Sequence, residues 1–189
     1  MDTRIDLRHS YLYKTATNRL GLWLFILSDS FLFGGLYVAR FYLFGGQRPD
    51  LQPLLGLAVT SILLISSFFM NRAEVAISFG DRQTFMRGTL ITIVLGILFL
   101  AGVLGVEWQV APFGPGDNAM SSMFYTMTGF HALHVLSGVI FLAIIYYHGR
   151  KGMYSPETHW PVEAAAVYWH FVDVVWVFFY PALYLMGKP

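Results

Sequence analysis

The sequence predicts an all-α fold, an integral membrane bundle of five transmembrane helices, and three observations predict it. The 189 residues are 56% hydrophobic and only 12% charged, where soluble domains carry about 25% charged residues. Five apolar stretches reach the roughly 20 residues that a helix needs to cross a ~30 Å hydrocarbon core. The connections between them are mostly short, with Gly and Pro as turn signals. No repeat, low-complexity segment or compositional boundary divides the chain, so residues 1–189 are expected to form one transmembrane domain.

Composition also excludes. A net charge of +1, with no Lys/Arg run longer than Arg150-Lys151, supplies no basic field, so nucleic acid is not an expected partner. Without cysteine there is no disulfide, thiolate-held iron–sulfur cluster, C-x-x-C-H haem attachment or Cys-bridged copper centre. Only His and carboxylates remain as metal ligands. Residues 1–18 are polar and lack the apolar core of a signal peptide, so the first span is expected to persist in the mature protein.

The first span is read at residues 20–44, with Asn18 as its cap and Asp29 and Arg40 as its only charges. The second, residues 51–70, is uncharged and has Pro53 in its first turn, where a missing N–H does no harm. The third, residues 88–106, carries Gly96, Ala101 and Gly105, small residues that let another backbone approach. The fourth runs over 119–147 with His131 and His134 as its ionisable groups, and the fifth over 162–186 with Glu163, His170 and Asp173. Residues 71–87 form the longest expected connection, and 148–161 have room for an ordered turn. Trp108 and Trp160 suit the membrane interface; Trp169 suits either the interface or the core.

Nine of the twelve Lys/Arg fall on the side of the N-terminus and three on the other. The positive-inside rule then sets the N-terminus in the cytoplasm and the C-terminus outside. Trp160 and Trp169 fall on the inner side of such an arrangement.

A charge near the bilayer centre costs on the order of 2.5–3.5 kcal/mol on insertion scales, so it normally faces protein or water and has a partner. Glu163, His170 and Asp173 share one helical stripe, with Ala166 and Val177 between and beyond them at spacings of three and four. A proton-conducting seam and a fastening that fixes bundle register both fit this stripe, the second being the commoner fate. His131 and His134, three apart, also share a face. With Glu163 or Asp173 they have the chemistry of an iron or zinc site, but the Glu-x-x-His pairs of di-iron bundles are absent, and neutral interhelical hydrogen bonding is the ordinary outcome. Asp29 has no basic neighbour on its own helix, so it is expected protonated or water-solvated. Glu107, beside Trp108, is expected at the interface in contact with solvent.

The run YWHFVDVVWVFFYP, preceded by VEAAA, resembles the last helix of subunit III of the haem–copper terminal oxidases (cytochrome c oxidases), and MTGFHALHVLSGVIF resembles its penultimate helix. RLGLWLFILSDSFLFGG is similar to the family's carboxylate-bearing helix, and GVEWQ to its Glu-Trp-Gln turn. Together these stretches cover most of the chain in the family's order.

The resemblance implies a non-catalytic subunit of a bacterial respiratory complex in the inner (cytoplasmic) membrane. Such a chain is an enzyme only as part of an oxidoreductase and proton translocase, and holds no catalytic, cofactor or metal residue of its own. Haems and copper belong to partner subunits. Subunit I is the main contact, with subunit II and smaller subunits beside it; bound phospholipid, core stabilisation and support of proton uptake complete the implied role. Two departures matter. Mitochondrial-type members have seven helices, with a lipid cleft between the first two and the rest, whereas five are read here. Asp29 also stands where the family usually has Glu. The rival readings are an accessory subunit of a nitric oxide reductase, a small proton-coupled transporter and a histidine-based metalloenzyme. The sequence-level hypothesis is that the His131/His134 face meets the His170/Asp173 stripe inside the bundle.

Overall fold

The computed structural model describes residues 3–44 and 46–187, with side chains from Tyr13 onward. Five helices in it are long and apolar enough to cross a membrane, and no strand forms among the described residues. They are α1 (Thr3–Phe44), α2 (Pro53–Ser78), α3 (Arg82–Val110), α4 (Ala119–Arg150) and α5 (Trp160–Leu185). Gly45 and Lys188, placed by the sequence in the first turn and the C-terminal tail, lie outside the described residues.

The expected spans are all present, and each helix runs beyond at least one of its expected ends. Asn18 caps nothing: it lies inside α1, which continues N-terminally through polar residues. The long connection expected at 71–87 is a tight turn instead. α2 continues to Ser78, and Asp81 starts α3 by accepting from the Thr84 N–H at 3.0 Å. Gly80, with φ +81°, reverses the chain between them. Polarity misled here, because Arg72, Glu74, Arg82 and Arg87 are charges that helix ends carry easily where they meet water. Pro53 opens α2 as expected, and a capping box between Asn118 and Ser121 opens α4. Residues 151–159 hold an ordered turn closed by Ser155 and Thr158.

α2, α3, α4 and α5 pack in a ring, α2 against α3, α3 against α4, α4 against α5 and α5 against α2, while α1 lies across the outside on α4 and α5. In its most apolar window α1 is 11% buried and α5 56% buried, which makes α5 the central helix. Its core stripe is Val162, Ala165, Trp169, Val172, Trp176, Phe179 and Leu183, all buried and spaced three and four apart like the seam of a coiled coil. Trp169 is therefore a core residue. Its ring fills a notch between helices: a methyl group at Gly96 would lie 2.6 Å from it, and one at Gly138 2.9 Å. α2 and α3 also approach closely, since a methyl at Gly88 would meet Ala73 and the Phe69 carbonyl at 2.9 Å. The expected contact at Ala101 and Gly105 does not form, since Ala101 is exposed and nothing lies within 4 Å of a methyl at Gly105.

Two helices loosen near one end of the bundle. α3 widens into a π-helical segment over Ala101–Glu107, and α5 ends in another over Pro181–Leu185. Arg40 and Arg48 hold this second end: Arg40 donates to the Met186 carbonyl at 2.6 Å and Arg48 to that of Tyr184. The guanidinium groups satisfy carbonyls that a helix C-terminus leaves open.

Candidate functional site

Apart from His131, the polar side chains expected in the membrane fall into three clusters, each joining different helices. The first lies where α1, α4 and α5 meet. Asp29 Oδ2 is 3.4 Å from His134 Nε2, and Phe33 packs edge-on against the same imidazole. His134 Nδ1 sits 2.7 Å from the Phe130 carbonyl. That carbonyl can only accept, so Nδ1 carries a hydrogen and donates it. A hydrogen bond between Nε2 and Asp29 therefore needs one further proton, carried by either partner. Below them Tyr168 shares a 2.6 Å hydrogen bond with Ser137 and donates to the His134 carbonyl at 3.3 Å. Asp29 thus has a histidine on another helix as its neighbour, which a search along its own helix could not find.

The second cluster ties the polar end of α1 to α5. Arg19 donates to Glu163 Oε2 at 2.7 Å and lies over the Trp160 ring at 5.1 Å. His159 reaches the other Glu163 oxygen at 3.2 Å.

The third joins α5 to α2. His170 Nδ1 and the Ser67 hydroxyl are 2.7 Å apart. Asp173 is buried, with Oδ1 unpartnered among the described residues. Along α5 the polar stripe sits one residue, about 100°, round from the Trp169/Trp176 stripe, which turns it towards α2. Val177, its last expected member, is exposed.

The hypothesis that the α4 histidines meet this stripe is therefore corrected. Three residues of helix leave His131 and His134 about 60° apart. With α4 wedged between α3 and α1, that angle sends His134 to α1 and His131 into the core. There His131 lies 4.8 Å from the Trp176 ring and 5.6 Å from that of Phe99, fully buried, with neither nitrogen partnered among the described residues. The metal grouping of His131 and His134 with Glu163 or Asp173 is not assembled: among the described residues no three His, Asp or Glu side chains are placed to hold an ion.

Glu107 departs most from expectation. It is 4% exposed, not solvated, and both carboxyl oxygens lack a partner among the described residues. A signal for this was present in the sequence: Thr92, Gly96, Phe99, Val103 and Glu107 repeat at four, three, four and four, so Glu107 continues the inward stripe of α3. Arg40 was legible in the same way, seven residues beyond the buried Phe33.

Fold and polar clusters define an integral membrane subunit whose ionisable groups join its own helices. The model of one protein family, cytochrome c oxidase subunit III, matches residues 4–188. Similar curated proteins bear that name: cytochrome c oxidase subunit 3 of Thermostichus vulcanus is 35% identical over 176 residues, covering 89% of this chain and 87% of the relative. Those of Gallus gallus and Bos taurus are 37% and 36% identical over 183 residues, covering 90% of this chain and 70% of each relative. The chain belongs to the cytochrome c oxidase subunit III family, the third subunit of haem–copper oxidases, and is part of an oxidoreductase complex. The nitric oxide reductase and transporter readings gain no support from these comparisons.

Proposed function

We propose that this chain stabilises the catalytic subunit of its oxidase from the side, holding α1 as a separately fastened outer helix, and that it contributes no redox centre. The observation that carries this reading is the distribution of the polar groups. Arg19–Glu163, Asp29–His134 and His170–Ser67 each join one helix of this chain to another. The outer surface they leave is strongly apolar, with Trp23, Phe31, Val38 and Tyr42 of α1 exposed. Such a surface suits lipid and the helices of subunit I, with subunit II and smaller subunits nearby. Haems and copper reside in those partners.

The basic-residue bias supports a cytoplasmic N-terminus and an external C-terminus in a bacterial inner membrane. Phospholipid fits the apolar groove of about 390 Å3 between α1 and α5, lined by Phe33, Tyr37 and Phe178. Asp29 stands at the family's membrane carboxylate position, and its 3.4 Å approach to His134 makes it the candidate for a proton-linked role.

The test is to purify the oxidase with this chain present, absent, or carrying D29N or D173A, and to follow oxygen consumption over many turnovers. A stabilising subunit leaves the initial rate and the haem spectrum unchanged while the rate decays sooner without it. D173A is expected to leave less of this chain bound in detergent. A changed haem spectrum on its removal, or full occupancy and unaltered decay in every variant, would reject the proposal.

A further inference from the structure

The end of the bundle where α1 stops and α2 starts contains an open pocket of about 350 Å3. At about 30 Å3 per water, it has room for a small organic group rather than a bare ion alone. Its floor is made by Glu107 and Tyr184, 4% and 1% exposed. Both line this one pocket, and neither the carboxyl oxygens nor the phenol hydroxyl has a hydrogen-bond partner among the described residues. Burying such groups unpaired is expensive, so their shared orientation towards one cavity calls for an occupant. Asp50 and Gln52 stand at the mouth, and Leu55 and Pro112 contribute apolar wall.

The two floor residues are presented in the same unusual way. Glu107 closes the π-helical segment of α3, and Tyr184 lies within that of α5. π segments widen a helix locally and recur at functional sites. No Lys or Arg side chain lines the pocket, which is rich in acceptors and carries a carboxyl group at floor and mouth. The matching group is a primary ammonium: three N–H donors, no acceptor, one positive charge. Pro53, Val110 and Leu185 end their spans here, which sets the pocket at the level of lipid headgroups.

We propose that this pocket binds a primary ammonium group, held by Glu107 and Tyr184, with Asp50 and Gln52 at its entrance. The group has two possible sources, an ethanolamine headgroup and a free small amine. The site stands on this chain's own residues and does not rest on the role proposed above.

The intact complex, purified in mild detergent and stripped of lipid, is titrated separately with short-chain phosphatidylethanolamine, short-chain phosphatidylglycerol and free ethanolamine. Binding is counted by native mass spectrometry. The wild type is expected to hold one more amine-bearing ligand than E107Q, whose affinity falls about tenfold with the loss of a charge-assisted bond. Phosphatidylglycerol binding should not change. Phosphatidylethanolamine bound with ethanolamine inert assigns the lipid as source, and ethanolamine bound equally well assigns the free amine. Leu55→Trp fills the pocket while leaving both carboxylates, and should abolish the same binding event; it decides the matter alone if E107Q does not assemble. Equal amine binding by wild type and either variant overturns the proposal.

Discussion

At the scale of single residues, the indole of Trp169 shows how finely this core is fitted. Its ring uses the missing side chains of Gly96 and Gly138, and its N–H donates to Ser66 Oγ at 3.0 Å. Gly96→Ala should therefore cost about 1–3 kcal/mol, the usual penalty for overpacking. Gly105→Ala, with open space around it, should be neutral; thermal unfolding in detergent measures both. A second residue-scale prediction concerns Asp29 and His134. A double-mutant cycle to alanine should give a coupling of about 0.6 kcal/mol and no more than about 1.7, the range of interhelical polar contacts in membranes. A coupling of zero would mean that the two groups only share a neighbourhood.

These residues also show what a sequence conceals. The positions of Asp29, His134, His170 and Asp173 on their own helices followed from helical periodicity. Their partners did not, because Ser67 of α2 becomes a neighbour of α5 only through the packing order of the ring, and α1 meets α4 and α5 only by docking on its outside. Glu107 stood beside a tryptophan and looked interfacial by composition, though its spacing from Val103 pointed inward.

At the scale of elements, caps decide where helices begin. Asn118→Ala removes the half of the α4 capping box in which Asn118 Oδ1 accepts from the Ser121 N–H, while the backbone N–H at 118 still donates to Ser121 Oγ; it should cost about 1 kcal/mol, detectable as a lower unfolding midpoint. Asp81 caps α3 from outside the membrane, and its hydrogen bonds to Thr84 hold its carboxyl below the ordinary carboxylate range. A depressed carboxyl contributes stability that is full above the unfolded pKa, about 3.9, and lost as pH falls through the lower folded value. Hydrogen exchange in the first turn of α3 should accordingly quicken only in acid, and Asp81→Asn should remove most of that pH dependence. The π-helical segments within α3 and α5 were not readable from hydropathy, whereas the five spans were. Boundaries were less so: the turn at Phe79–Asp81 lay hidden among charged residues that read as a loop and fold as helix ends.

At the scale of the whole molecule, four helices close a ring and the fifth is attached to its outside. Arg19→Glu would set like charges against each other at Glu163 and should loosen the α1–α5 contact, raising hydrogen exchange around residues 15–25 while leaving α2 and α3 protected. If α2 and α3 loosen equally, α1 is integral to the ring rather than clamped onto it. The ring order was beyond the sequence, since apolar faces state that a helix packs and not against which neighbour.

The placement of α1 also bears on how the chain is made. α2 and α3 form a hairpin as soon as both have left the ribosome, but α1, synthesised before them, packs on α4 and α5, synthesised after them. While α2 and α3 are made, Asp29 must wait in the membrane for His134, and Arg19 for Glu163. The bilayer or the insertion machinery has to tolerate an unpaired carboxyl until α4 has emerged, so a later helix completes an earlier one.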